Sequence, residues 1–298
     1  MKIGYGLVEN HIDITNICND KLSIDNIITI PDGELRRVRL FSDPIVGTLK
    51  KIIIWINDIV QEYSHELSIK INIINNNVET INPNELVEHK LTTIQSKLQI
   101  KYGTFKEELP EQKMATRYLN GNEKVLEIGG NIGRNSLIIG SILSSSSNLV
   151  VLECDDLISK QLVENRELNG LNFHIEDSAL SKRNLIQKGW TTIVSDVLLK
   201  GYKKVNTITY NDLMHKYNIV FDTLVIDCEG AFYYILMDMP EVLDSINLII
   251  MENDYTDITH KKYVDSVLKT NGFYIDYVES INVKKMPCNK NFFEVWKK

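Results

Sequence analysis

The sequence lacks the features that mark membrane proteins and nucleic-acid-binding proteins. Its apolar runs, such as residues 52–56, are far too short to cross a membrane, and the first residues have no long apolar core like that of a signal peptide. The chain carries 33 lysine and arginine residues against 40 acids, which gives a net charge of −7. A nucleic-acid partner needs a clustered positive surface. We therefore expect a cytoplasmic protein with no membrane partner and no nucleic-acid partner.

The lysines form only scattered pairs, which we expect on the solvated surface. Such pairs occur, for example, at positions 50–51, 203–204, 261–262 and 284–285. Cysteine is also scarce, since the chain has only Cys18, Cys154, Cys228 and Cys288, far apart and without CxxC spacing. Such spacing fits free thiols in a reducing compartment better than disulfides or a zinc site.

The most informative stretch is VLEIGGNIGRNS, at residues 125–136. A short apolar strand leads into a glycine turn, and a helix then opens at Ser136. Gly129 and Gly133 permit tight turning and close backbone approach, and the first amides of the helix point back at a ligand. The stretch therefore predicts a ligand cradle.

Two features of this cradle argue against a nicotinamide dinucleotide. That fingerprint needs glycines at the first, third and sixth positions. Counted from Gly129, the third position is Asn131 and the sixth is Arg134. An acid at Glu127 would also repel a diphosphate. S-adenosylmethionine, which carries an ammonium and a sulfonium, suits the pattern better. We expect its methionine end at Glu127, Gly129 and Asn131, beside Gly133 and Ser136.

Further acids follow the next two predicted strands. The apolar run 149–152 ends at Glu153, where an α/β nucleotide fold places the acid that accepts both ribose hydroxyls. The next short strand ends near Asp177, which could accept the adenine amino group, with Ser178 and Ala179 beside the ring. Acids are common in such loops, so a purely structural role for Asp177 is equally open.

The pattern along the chain predicts three regions: a small β-rich domain at residues 1–77, a helical linker at 78–121, and a main domain at 122–298. Chain length and apolar content accommodate this division. In the main domain, strand and helix patterns alternate, which is typical of a doubly wound, mostly parallel α/β sheet. The predicted strands lie near 125–128, 149–153, 172–175, 222–227, 247–252, 273–279 and 292–296. The last two strands should form a hairpin at the sheet edge. The sequence does not define the oligomeric state, and a homo-oligomer is one possibility.

The fourth and fifth strands deliver more acids to the same edge. Asp227 and Glu229 follow the fourth strand and Glu252 ends the fifth, and open α/β sheets bind ligands at this edge. Converging carboxylates raise at least one pKa unless a cation or hydroxyl donor intervenes. Asp227 is the first choice for a proton acceptor, with Glu229 and Glu252 as alternatives. A divalent cation such as Mg²⁺, held by Asp227, Glu252 and Asp254, is the other use of these acids.

The two motifs together resemble the FkbM family of S-adenosylmethionine-dependent methyltransferases. The family has an ExGxNxGxxS-like first motif and an IDxEG motif on the fourth strand, and both are present, at residues 127–136 and 226–230. The resemblance covers roughly residue 102 to the C-terminus. It implies a class I methyltransferase sheet and a hydroxyl acceptor on a sugar or a polyketide-like product. The N-terminal β module lies outside the family and resembles an accessory module of glycan-processing proteins.

We therefore expect an S-adenosylmethionine-dependent O-methyltransferase acting on a sugar, nucleotide-sugar or glycan hydroxyl. Tyr233, Tyr234 and Tyr255 could form an aromatic shelf for a sugar face, and Trp190 could cover the cleft. One alternative is a non-catalytic binding protein with this fold, whose N-terminal domain recognises a glycan or another partner. A nicotinamide-dependent sugar oxidoreductase is the other, and the glycine spacing disfavours it.

Overall fold

The computed structural model describes residues 1–189, 191–283 and 285–298; Trp190 and Lys284, and the expectations placed on them, lie outside these ranges. The chain forms two compact units, Met1–His89 and Lys90–Lys298. These boundaries differ from the predicted regions. Residues 77–81 pair with the preceding strand and so extend the first unit, whereas residues 90–121 belong to the second. The predicted linker is therefore not a separate region.

The N-terminal unit contains two antiparallel sheets and two short helices. Its elements are β1 (Lys2–Leu7), β2 (Asn10–Asp13), α1 (Thr15–Leu22), β3 (Ser23–Ile24), β4 (Ile27–Ile30), α2 (Glu34–Phe41), β5 (Lys51–Ile56), β6 (Ile59–Tyr63), β7 (Ser68–Asn72) and β8 (Asn77–Ile81). One sheet has the order β2-β1-β5-β6 and the other β3-β4-β7-β8. The β-rich character is as expected, but α1 and α2 are not among the predicted elements. Helix α3 (Pro83–Gln95) crosses the division between the units.

The C-terminal unit alternates strands and helices. Its elements are α4 (Leu109–Tyr118), β9 (Val125–Ile128), α5 (Arg134–Ile142), β10 (Leu149–Leu152), α6 (Asp156–Leu168), β11 (His174–Glu176), β12 (Ala179–Leu180), β13 (Leu185–Lys188), β14 (Thr191–Val194), β15 (Lys203–Val205), β16 (Thr207–Ile208), α7 (Tyr210–Tyr217), β17 (Thr223–Ile226), α8 (Phe232–Asp238), β18 (Leu248–Glu252), α9 (Ile258–Thr270), β19 (Tyr274–Glu279) and β20 (Phe293–Lys297). Short 3-10 turns occupy Ser146–Asn148, Pro240–Leu243 and Asn289–Asn291.

A seven-stranded sheet with the order β11-β10-β9-β17-β18-β20-β19 forms the centre of this unit. The first five strands are parallel, and β20 is antiparallel to both of its neighbours. The first strand of this sheet in chain order, β9, lies in the interior with β10 on one side and β17 on the other, so the order of the strands reverses there and opens a crevice at the carboxyl edge. This is the class I methyltransferase type of sheet, which confirms the predicted fold class and the terminal hairpin.

The segment between β11 and α7 contains strands that the alternation did not predict. β12 pairs with β16, and β13 pairs with β14 and β15 in a small antiparallel sheet. These strands have two to four residues each, too short to give a clear periodic pattern.

Two of the lysines expected on the surface are instead buried. Lys50 pairs with Glu34 and Asp43, and Lys261 pairs with Asp265 and Glu294. A buried ammonium needs opposite charges around it, and a pattern of scattered pairs cannot reveal them. All four cysteines are free, as expected. Within the described residues, no helix combines the length and apolarity required to cross a bilayer.

The buried side chain of Arg37 links segments of the N-terminal unit by hydrogen bonds. The side chain is fully buried, and its guanidinium donates hydrogen bonds to the backbone carbonyls of Pro31, Ser64 and Leu67, at 2.9, 3.0 and 2.6 Å. Helix α2 is thereby fixed to Pro31, just before the helix, and to residues 64–67, which are distant in sequence. The planar guanidinium fork suits this task, because it presents several donors in fixed directions.

We predict that Arg37→Met destabilises the N-terminal unit by about 3 kcal/mol or more, because three hydrogen bonds from a fully buried guanidinium to partly buried carbonyl groups are lost. Hydrogen exchange of peptides from β4, β5 and β7 measures this effect locally. Arg36→Met is the matched control, since Arg36 is partly exposed and pairs with Asp32 one turn away, so we expect a loss of less than about 1 kcal/mol. Equal effects of the two variants would contradict the role of Arg37.

Candidate active site

The glycine turn lies between the central strand β9 and helix α5. Gly129 and Gly130 both donate hydrogen bonds to the carbonyl of Leu152. A Cβ at Gly129, where φ is +91°, would lie 1.6 Å from the backbone oxygen of Asp227, so only glycine fits. Gly133 takes a left-handed conformation just before α5, which begins at Arg134 rather than at the predicted Ser136. The turn therefore brings the ends of β9, β10 and β17 into direct backbone contact.

Glu127 is buried beneath this turn. Its carboxyl group accepts hydrogen bonds from Asn135 Nδ2, at 3.1 Å, and from Ser136 Oγ, at 2.5 Å. Burial is the main reason that the pKa of Glu127 rises to about 8. Ser136, predicted to bind cofactor, thus contacts Glu127 through its hydroxyl. Glu127 lines the cleft. Its carboxyl group therefore stays protonated near neutral pH unless a positively charged ligand binds beside it.

Glu153 fixes the outer part of the turn. One carboxylate oxygen accepts the backbone N–H of Asn131 at 2.9 Å, and the other accepts that of Asp155 at 2.8 Å. Burial raises the pKa of Glu153 above its ordinary value. Asn131 has a positive φ, and its side chain turns towards Glu108 and its own following amide. Glu153 therefore holds the conformation of the turn, and each of its oxygens retains a further lone pair for a ligand.

Two acids at the start of α4 join the site, although no motif in the sequence marks them. Glu108 accepts hydrogen bonds from Asn131 Nδ2 at 3.2 Å and from Arg134 at 2.6 Å. Arg134 also pairs with Glu107. Glu111, one turn further, is buried against the same cleft. The only signal available in sequence was the predicted helical region at residues 78–121, which does not reveal the tertiary partners of these acids.

Glu111, Asp227 and Glu252 form a compact group of acids. Each contributes a carboxylate oxygen, and these oxygens lie within 4.8 Å of one another. Burial, then the contact with Glu111, then the charge of Asp227 raise the pKa of Glu252 to about 11. Burial and the neighbouring Glu111 also raise the pKa of Asp227 well above its ordinary value. We call these three residues the acid trio.

Glu229 and Asp254 form a second acidic pair beside the trio. Glu229 is exposed and has a positive φ of 51°. Burial, and then the charge and hydrogen bond of Glu229, raise the pKa of Asp254 to about 7. Asp254 does not belong to the trio, so the predicted cation set of Asp227, Glu252 and Asp254 is not the set that the structure brings together; Glu111 takes the third place.

The end of β11 carries the residues expected at the adenine. Asp177 is exposed, and burial of part of its carboxyl group raises its pKa. Ser178 is buried and donates to Glu176 Oε1 at 3.3 Å, so its hydroxyl is already engaged. Ala179 begins β12 and is half-buried. Asp177 thus has the exposure that a ligand contact requires, whereas Ser178 has a structural partner.

An aromatic cluster on α8 and α9 follows the IDxEG motif. Tyr233 stacks on His260 with ring centroids 3.8 Å apart and planes within 6°. Tyr234 and Tyr263 meet Tyr233 edge to face. Tyr255, expected in the aromatic shelf, is instead buried among the apolar side chains of the core.

Comparisons with known proteins support no closer assignment. No family model matches the chain, and no curated protein matches it. The chain resembles a solved ribosomal protein L11 methylase from Lactobacillus delbrueckii subsp. bulgaricus (13% identity, 67% of this chain, 81% of that chain, TM-score 0.42). It also resembles an O-methyltransferase from Bacillus cereus in complex with SAH (14%, 74%, 92%, 0.42) and fibrillarin from Aeropyrum pernix (11%, 78%, 94%, 0.40). The fold assignment rests on the strand order, not on these likenesses.

We predict that Glu127 makes the ligand-free protein less stable as pH rises. The folded pKa of about 8 lies above the ordinary 4.5, so the folded state keeps a proton that the unfolded chain loses between those values. This contribution is complete below about pH 4.5 and is lost as pH rises through 8, at up to about 1.4 kcal/mol per pH unit. Urea unfolding from pH 5 to 8 measures it.

Glu127→Gln should remove this one-proton contribution, because the amide is neutral at every pH in the range. Glu167→Gln, at an exposed acid on α6, is the matched control and should keep the wild-type slope. If the slope for Glu127→Gln equalled that of the wild type, Glu127 would not be protonated in the fold.

Proposed function

We propose that this protein is a methyltransferase that uses S-adenosylmethionine. The observation that carries the proposal is the glycine turn with the acids Glu127 and Glu153 buried on either side of it, at the carboxyl edge of the sheet. A dinucleotide would bring a diphosphate to this turn, where Arg134 is already paired with two acids. A cationic donor instead meets the charge that the site offers.

The donor can be oriented from the positions of three strand ends. The ammonium and sulfonium lie near Glu127 and the glycine turn, and the ribose hydroxyls lie at Glu153, where the α/β nucleotide fold has its ribose acid. The adenine then extends towards Asp177, with Ala179 beside the ring. This places the methyl group towards the ends of β17 and β18, where Asp227 and Glu252 lie.

Methyl transfer to oxygen needs alignment and removal of one proton. The methyl is already activated by the sulfonium, so the protein has to hold the acceptor oxygen in line and accept its proton as the new bond forms. Asp227 is our first choice for the acceptor of that proton, because it lines the cleft directly after β17. Its raised pKa improves it as a base at neutral pH.

For the methyl acceptor we propose a hydroxyl on a sugar, nucleotide-sugar or glycan, as the resemblance to the FkbM family implies. The exposed part of the aromatic cluster supports this choice, since Tyr234 keeps 40% of its surface exposed on the helix that follows the motif. Aromatic rings offer an apolar face with a polar rim, which suits a sugar ring. The N-terminal unit is then an accessory module.

We predict that S-adenosylhomocysteine binds to the protein and that Glu153→Gln weakens the binding roughly 10- to 100-fold, the cost of losing hydrogen bonds to a charged acceptor. Isothermal titration measures the affinity. Glu167→Gln is the matched control and should bind like the wild type. Thermal unfolding of Glu153→Gln without ligand shows whether the turn itself has been lost. Equal affinity of Glu153→Gln and the wild type would contradict the placement of the ribose.

We further predict methyl transfer from labelled donor to a member of a panel of glycosides, nucleotide-sugars and oligosaccharides. Asp227→Asn should lower kcat at least about 100-fold, the usual contribution of a positioned base, while S-adenosylhomocysteine still binds. Cofactor binding without transfer to any panel member would favour a non-catalytic binding protein. Tighter binding of NADH than of S-adenosylhomocysteine would favour an oxidoreductase.

A further inference from the structure

The acid trio concentrates negative charge in a buried place. Glu111 is 7% exposed, and Asp227 and Glu252 are half-buried, all facing one cleft. Three ionised carboxylates at this spacing repel one another strongly in a medium of low polarity. The group therefore needs either shared protons or a bound cation, and no lysine, arginine or histidine is among the described residues lining the cleft.

One oxygen of the trio and one oxygen elsewhere in the same cleft have unused hydrogen-bonding capacity. Glu111 Oε2 and Asn135 Oδ1 are both buried, and neither has a hydrogen-bond partner among the described residues. Asn135 is 7% exposed and lines the same cleft, but it stands outside the acid trio and donates through its Nδ2 to Glu127. Buried oxygens are rarely left without a donor or a cation, because desolvation costs about 1–3 kcal/mol for each.

From this arrangement we infer that Glu111, Asp227 and Glu252 form a binding site for a hard divalent cation. Carboxylate and amide oxygens are the ligands that Mg²⁺ and Ca²⁺ prefer. Opposite oxygens around Mg²⁺ lie about 4.2 Å apart, and around Ca²⁺ about 4.6–5.2 Å, which brackets the 4.8 Å limit of the trio. Asn135 Oδ1 lies in the same cleft as a neutral oxygen.

The site would change the role of Asp227. A carboxylate that binds a cation stays ionised and becomes a weaker base, whereas the cation lowers the pKa of a hydroxyl beside it. Less basicity is then needed from the protein, so an acid outside the trio can receive the proton; Glu229, which is exposed and hydrogen-bonded to Asp254, is the candidate. The inference itself stands without the proposed methyl transfer, because it rests only on the trio and its neighbours.

Titration of the full-length, ligand-free protein with Mn²⁺ tests the site. Binding is measured by the loss of the free-ion signal in electron paramagnetic resonance and by calorimetry. We expect one ion per chain, displaced by Mg²⁺ or Ca²⁺. Glu111→Gln and Glu252→Gln should each weaken Mn²⁺ binding at least roughly tenfold, since even outer contacts of metal sites cost 10- to 100-fold. Asp254→Asn should weaken it less than either, and Glu167→Gln should leave it unchanged.

The same samples titrated with S-adenosylhomocysteine separate this inference from the proposed function. Absence of Mn²⁺ binding, or equal Mn²⁺ binding by Glu111→Gln and wild type, would overturn the cation site. If Glu111→Gln weakened S-adenosylhomocysteine binding while Mn²⁺ did not bind, the trio would bind the ammonium group of the methyl donor instead. That result would also overturn the cation site. Mn²⁺ binding without S-adenosylhomocysteine binding would overturn the proposed function and leave the cation site standing.

Discussion

The repulsion among buried carboxylates at one edge of the sheet is the constraint on which the rest of the site depends. Parallel strands end at the same edge, so acids that follow different strands are brought together by the fold. Glu127, Asp227 and Glu252 meet there, joined by Glu108, just before α4, and by Glu111 within α4. Only protons or positive charges can balance such a group. The acids therefore need shared protons or a cation, and our proposals supply a sulfonium, an ammonium or a metal ion.

The glycine turn brings these acids within reach of one ligand. Gly129 lets the backbone of the turn touch the backbone of Asp227, which a side chain would prevent. Glu153 and Glu108 then hold Asn131 from two sides. The turn is fixed before any ligand arrives, so little ordering is needed on binding. The hydrogen-bond partners of Glu127 have the same effect, because they hold its carboxyl group in place.

Much of the main sheet could be predicted from sequence because its central strands β9, β10, β17 and β18 are buried on both faces and appear as nearly continuous apolar runs. The strand 125–128 was predicted at its observed bounds, and the others within about two residues. Helices α1 and α2 are eight residues long, and β12 to β16 are shorter still, so periodicity could not define them. Glu111 could not be assigned because its place beside Glu252 depends on tertiary packing between residues 141 positions apart.

The central claim is that acids at neighbouring strand ends hold a positively charged methyl donor. A crystal structure of the protein with S-adenosylhomocysteine tests it most directly. The account predicts the ribose hydroxyls within hydrogen-bonding distance of Glu153, the homocysteine against Gly129, and the sulfur facing Asp227 and Glu252. A ligand bound elsewhere, or an adenosine end lying against Glu127, would contradict it.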